Sequence, residues 1–174
     1  INPYEDPAED VQVEGEPFTL HAFRYTDPEN STPDVFEIEY EDIPISLANT
    51  TEAGQYVQYT FNNQYAGRYK VQVQYRAGTS VGKAKAFVNG EEVAKVFDCS
   101  GMVENVYYDS LGFWDLPEGE NTLRFEITGK DASRSGYNLE LYTFVLTPAG
   151  YQADSGLAGF TQVSPAVSTD KVDV

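Results

Sequence analysis

The chain has 174 residues, 41% of them hydrophobic, with 28 acidic side chains against 11 basic ones and a formal net charge of −17. That is enough apolar material for one core, and the charge disfavours duplex DNA, RNA and anionic membranes, whose phosphates are bound by Lys and Arg releasing counterions. A single cysteine, Cys99, excludes an internal disulfide, a single histidine, His21, excludes a multi-histidine metal site, and no run of apolar residues is long enough for a membrane span.

The acidity belongs to the N-terminal third: residues 1–52 hold fourteen Asp and Glu against Arg24 alone, whereas residues 53–134 hold ten acids and nine bases. A solvated acidic face is one reading of that third. Calcium is the other, because hard cations take carboxylate oxygens.

Ile1–Asp10, INPYEDPAED, is acidic with two prolines and reads as a linker or entry arm. VQVEGEPFTLHAF follows as one or two short strands interrupted at Pro17, and RYTDPENSTPD, Arg24–Asp34, is a loop by composition. In VFEIEYEDIPISLA, Phe36, Ile38 and Tyr40 alternate with Glu37, Glu39 and Glu41, the pattern of a strand with a carboxylate-rich outer face.

The next runs carry the clearest period of two. Val57, Tyr59 and Phe61 alternate with Tyr56, Gln58 and Thr60, and Tyr69, Val71, Val73 and Tyr75 alternate with Lys70, Gln72, Gln74 and Arg76. This predicts two strands with the Tyr and Val faces buried, and the intervening NNQYAG predicts a turn that makes them antiparallel neighbours. In KAKAFVNGEEVAKVF, Asn89-Gly90 is a strong hairpin signal, because both residues tolerate positive φ. MVENVYYDSLGFWDLPEGENTLRFEITG gives a strand, a Pro-Glu-Gly-Glu turn and a strand burying Leu123, Phe125 and Ile127. KDASRSGY is a polar loop, and NLELYTFVLTP is a last strand ended by Pro148.

From Gly150 the composition shifts to Gly, Ala, Ser and Val with scattered Asp, so residues 150–174 read as a linker or tail and residues 11–149 as one domain. Closely spaced strands without a capped helical period predict an all-β chain, a β-sandwich or jelly roll.

Taken in order, GQYVQYTFN, AGRYKVQVQYRAG, FVNGEEV, LPEGENTLRFEITG and SGYNLELYTFVLTP resemble the galactose-binding-like jelly rolls among carbohydrate-binding modules, especially families 6 and 35, over about Glu14 to Pro148. SLGFWDLPEGENTLRFEITGKDASRSGY is also similar to β-sandwich domains that accompany some bacterial glycoside hydrolases.

The resemblance implies a structural calcium held by a Glu-x-Glu of the first strand and an Asp near the last. Here VEGE offers Glu14 and Glu16; one alignment puts Glu140 where the Asp would stand, and another, counted back from Pro148, puts Tyr142 there. Read as residues alone, Glu14 and Glu16 are exposed alternates of a strand.

It also implies a ligand site on loops at one end of the sandwich, with aromatic rings stacked on a pyranose and an Asn near the last strand bonding its hydroxyls. By position Asn138 matches that Asn, the loop before the Trp114 strand supplies Tyr107 and Tyr108, and Asn49 and Thr50 lie where a further loop contact is expected. Stacking suits a sugar because its C–H face is apolar and its rim polar. Against this, Tyr107 and Tyr108 are adjacent in a strand, so one is expected buried, and Trp114 shares parity with Leu116, which favours core. Some family 6 modules use the concave sheet face as a second glycan site, to which Gln58, Gln72 and Gln74 would contribute; an ordinary solvated sheet is the other reading.

The function expected is a non-catalytic carbohydrate-binding module that targets a secreted glycan-degrading protein to polysaccharide or oligosaccharide, tethered to a catalytic domain in the same chain. The glycan is expected to be neutral or weakly charged, unless Lys83, Lys85, Lys130 and Arg134 gather at one end. A structural or adhesion sandwich making protein or cell-surface contacts is the alternative. A small glycan-active enzyme is the third, although no G-x-S-x-G, HExxH or phosphate-cradling glycine loop marks one.

Overall fold

Alternation at period two becomes strands throughout the computed structural model, which describes residues 10–40, 42–78, 81–98, 105–133 and 135–152. In chain order they are β1 (Phe18–His21), β2 (Asp34–Tyr40), β3 (Ile43–Asn49), β4 (Tyr56–Asn63), β5 (Gly67–Ala77), β6 (Lys83–Val88), β7 (Glu91–Asp98), β8 (Asn105–Leu116), β9 (Gly119–Gly129) and β10 (Leu139–Pro148). Among the described residues the helical elements are two 3-10 turns, Ala22–Arg24 and Pro28–Asn30. No helix there is long and apolar enough to cross a membrane.

The strands form two antiparallel sheets. One runs β2-β3-β10-β5-β8, with β1 beside β3 on the same flank of β10; the other runs β4-β9-β6-β7. Each sheet turns one face inward: Val57, Tyr59, Phe61, Leu123, Phe125 and Ile127 from the smaller meet Tyr69, Val71, Val73, Leu141, Phe144 and Leu146 from the larger. Each such side chain contributes roughly 1.5–3 kcal/mol when fully buried. At the centre, Tyr59, Phe125 and Phe144 pack as a ring cluster with centroids 5.0–6.1 Å apart. The Tyr59 hydroxyl lies 3.0 Å from the Ser46 Oγ, a hydrogen bond joining the two sheets. Burial of that phenol pushes its pKa up, so Tyr59 stays neutral.

The all-β sandwich is as the sequence predicts, and so is the Asn89-Gly90 hairpin, where φ is +48° and +86° and Lys85 pairs with Val96. Three local expectations change. Asp34–Asn49 is a hairpin of two strands rather than one, because Asp42 takes φ +68° and reverses the chain. VQVEGE is a turn, with the Glu16 N–H donating to the Val13 carbonyl at 3.1 Å, and pairing starts only at Phe18.

The third change concerns β4 and β5, which are not sheet neighbours: β4 pairs with β9, whereas β5 pairs with β10 and β8. The segment between them crosses from one sheet to the other. Asn63 is buried there, and its amide donates to the carbonyls of Tyr65, Leu116 and Pro117. Gln12 closes the crossover from outside, donating to Asn63 Oδ1 at 2.8 Å and accepting from the Gln64 N–H.

Asp10, expected in the entry arm, is docked. Its carboxylate accepts the His21 N–H at 3.0 Å and the Tyr25 hydroxyl at 2.7 Å, lies 2.7 Å from His21 Nδ1, and meets Arg24 at 3.5 Å. Burial alone would raise its pKa; the His21 and Tyr25 hydrogen bonds outweigh it and hold the carboxyl below its ordinary value. Cys99, Arg134 and the tail from residue 153 lie outside the described residues.

Candidate functional site

Strand register brings most of the expected site residues to one end of the sandwich. β10 starts there at Leu139, opposite Ala48 of β3, and Leu141 faces Tyr75 of β5, which in turn faces Tyr107 of β8. Asn138 therefore sits at the mouth of the last strand, held by a bridge to Val81 and by its carbonyl accepting the Gly82 N–H at 3.0 Å. Gly82 is closely packed: a Cβ would lie 3.0 Å from the Gly129 carbonyl and 3.1 Å from the Tyr137 backbone, tighter than ordinary side-chain contact. The Asn138 side chain itself is half-buried.

Thr50 is buried, and its hydroxyl donates to the Tyr137 carbonyl, while Asn49 is exposed at the end of β3. Thr50 thus braces the strand-entry segment carrying Asn138. Lys130 stands 5.6 Å over the Tyr137 ring and adds a positive charge to this end.

Tyr107 and Tyr108 are both solvent-facing, 42% and 62% exposed, against the expectation that one would be buried. The reason is topological: β8 is the outer strand of its sheet, so even Tyr107, on the inward side with Tyr75, has no neighbour strand to cover it. Its ring is tilted against Tyr75 with centroids 5.9 Å apart, which fixes one of the two phenols.

Trp114 does not join them. It lies on the same strand but opposite Tyr69, near the other end of the sheet, roughly 20 Å from Tyr107 at ordinary strand rise. It is half-buried against the core, as its parity with Leu116 predicts, and its indole N–H donates to the Leu111 carbonyl at 2.7 Å.

The expected metal set is not brought together either. Phe18 faces Leu146, so Glu14 and Glu16, in the exposed turn before it, lie beyond the far end of β10, roughly 20 Å from Glu140. Glu140 itself is buried and accepts a hydrogen bond from Arg76 at 2.5 Å. These residues do not fit one calcium, and no group of three or more His, Cys, Asp or Glu among the described residues could hold a metal ion. The alternative alignment gives Tyr142, whose side chain is 1% exposed.

The glutamines divide as well. Gln72 and Gln74 lie on the outer face of the larger sheet, where Gln74 accepts from Thr143 at 2.9 Å, whereas Gln58 faces out from the smaller sheet. Its companion there is Arg124, which no sequence pattern singles out; the guanidinium stacks 3.7 Å over the Tyr56 ring and 5.8 Å from Phe87 beside a cavity of about 240 Å³. The register Gln58–Arg124–Phe87 makes that grouping, and it needs three strands to be placed.

Two antiparallel sheets in this order define a jelly-roll β-sandwich, a fold shared with carbohydrate-binding modules. Among solved structures, the chain is similar to Paenibacillus xanthan lyase, with TM-score 0.66 and 21% identity over 86% of this chain and 14% of that one. It is similar to a family 35 carbohydrate-binding module from an environmental isolate, with TM-score 0.53 and 14% identity over 76% of this chain and 93% of that one. A CBM36 module in complex with calcium and xylotriose shares the fold at TM-score 0.50 and 13% identity, over 74% of this chain and 98% of the module. The chain thus spans 14% of the lyase and nearly all of the separate modules. No protein-family model matches the sequence. No curated protein matches it.

Proposed function

We propose that this chain is a non-catalytic carbohydrate-binding module, which holds a secreted glycan-degrading protein against a neutral or weakly charged polysaccharide. The observation that carries the reading is an uncovered edge strand at one end of a jelly roll, exposing Tyr107 on one face and Tyr108 on the other, with the half-buried Asn138 at the mouth of the last strand at the same end. Rings that present apolar faces and an amide that both donates and accepts are the two kinds of group a pyranose requires. Asn49 extends the polar side of the site, and Thr50 acts by positioning the Tyr137–Asn138 segment. Tethering to a catalytic domain is supported by the likeness to one portion of a much longer lyase.

Binding at such a surface is weak per site, because little area is buried and each hydroxyl gives up water before it gains a protein partner. Affinity electrophoresis against a polysaccharide panel tests the reading. Tyr108→Ala and Asn138→Ala, neither of which opens the core, are each expected to weaken retention on the best-bound glycan by about tenfold. Retention unchanged in both variants would overturn this placement of the site.

A further inference from the structure

The end of the sandwich opposite Asn138 carries a second cleft, of about 580 Å³, which the loop site does not use. It opens where β8 ends beside the β6–β7 hairpin, and is lined by Trp114, Phe113, Val88, Arg68, Asp115 and Glu91. Val88 is buried and forms an apolar floor, while Phe113 is 50% exposed. The indole N–H of Trp114 is spent on Leu111, so what the ring offers the cleft is its carbon surface.

On the rim, Arg68 pairs with Asp115 at 3.1 Å while both side chains stay largely exposed, which leaves donors and acceptors facing the cleft. Asn89 is a fixed wall: its amide donates to Asn121 at 2.8 Å and accepts the Thr122 N–H at 2.8 Å. Apolar surface with a fixed polar rim, at this volume, is the makeup of a small-ligand cleft.

Resting on the glycan-binding reading above, we propose that this cleft is a second, independent binding site, taking neutral pyranose units of a glycan chain and making the module bivalent. The class follows from the charges. Asp115 compensates Arg68, and Glu91 adds a negative charge, so the cleft repels carboxylated or sulfated sugars and offers carboxylate oxygens to neutral hydroxyls. Trp114, Phe113 and Val88 receive the apolar sugar face.

Trp114 is the one tryptophan in the chain, so its fluorescence reports this cleft alone. The intact chain is titrated with cellohexaose, xylohexaose and mannohexaose, following tryptophan emission and, in parallel, heat of binding. At least one hexaose is expected to shift the emission saturably. Phe113→Ala and Asp115→Ala, both exposed changes that spare the core, are each expected to weaken that response by about tenfold. Asn138→Ala is expected to leave it unchanged while removing the other site's heat. A hexaose that binds by heat with a silent tryptophan, or an emission response abolished by Asn138→Ala, overturns the second site and spares the first. No binding of any hexaose by either readout overturns the glycan reading together with the cleft.

Discussion

Arg76 of β5 and Glu140 of β10 form an ion pair at 2.5 Å, with both side chains largely buried on the outer face of the larger sheet. The pair ties the mouth of the last strand, two residues from Asn138, to the end of the neighbouring strand β5. Removing one partner of a buried pair costs about 3–5 kcal/mol. Glu140→Ala is therefore expected to lower the melting temperature strongly, while Arg76→Met with Glu140→Leu recovers much of the loss. Because Glu140 is committed to Arg76, chelator is expected to leave melting unchanged in wild type and in Glu14→Ala/Glu16→Ala alike. A chelator-sensitive melt lost in that double variant would restore the shared-ion reading.

Asp10 predicts an acid limb of stability. Its carboxyl is held below the ordinary value of 3.8, so the folded state prefers the ionised form. The stability this contributes is complete above pH 3.8 and is lost as pH falls through the lower folded-state value. Asp10→Asn is expected to reduce stability at neutral pH and to flatten this limb, measured by urea melts between about pH 2 and 6. Equal acid slopes in the two proteins would contradict the role given to the Asp10 carboxylate in bonding His21 and Tyr25.

The hairpin at Asn89-Gly90 and the burial of Leu123, Phe125 and Ile127 were legible because both are local: positive φ demands those residue types, and period two needs one strand only. Partner choice was not. Asn63 looked like a turn residue, yet its amide bonds Leu116 and Pro117 more than fifty positions away, and those contacts make it a crossover between sheets. Edge position was hidden for the same reason, which is why the alternation rule failed at Tyr107 and Tyr108. Asn138, Asn49 and Thr50 are grouped by the resemblance alone; the register shows that Asn138 and Asn49 each adjoin the Leu139–Ala48 pair. Trp114, the remaining aromatic candidate for stacking, is separated from Tyr107 by strand rise over seven residues.

Gly82 predicts how tightly the loop end is built. An added Cβ meets backbone of Gly129 and Tyr137, which cannot swing aside as a side-chain end does. Gly82→Ala is expected to cost about 1–3 kcal/mol and to shift the amide resonances of Tyr137 and Asn138. A neutral melt with unmoved resonances would show that the segment holding Asn138 is looser than its contacts imply.

Recognition of a glycan and the absence of turnover are addressed by one measurement. The intact chain is incubated with each polysaccharide of a neutral panel, assaying retained protein and newly released reducing ends in the same samples. At least one polysaccharide is expected to retain the protein while reducing ends stay at the level of the protein-free control. No retention on any polysaccharide, or reducing ends rising with time and protein concentration, would contradict it.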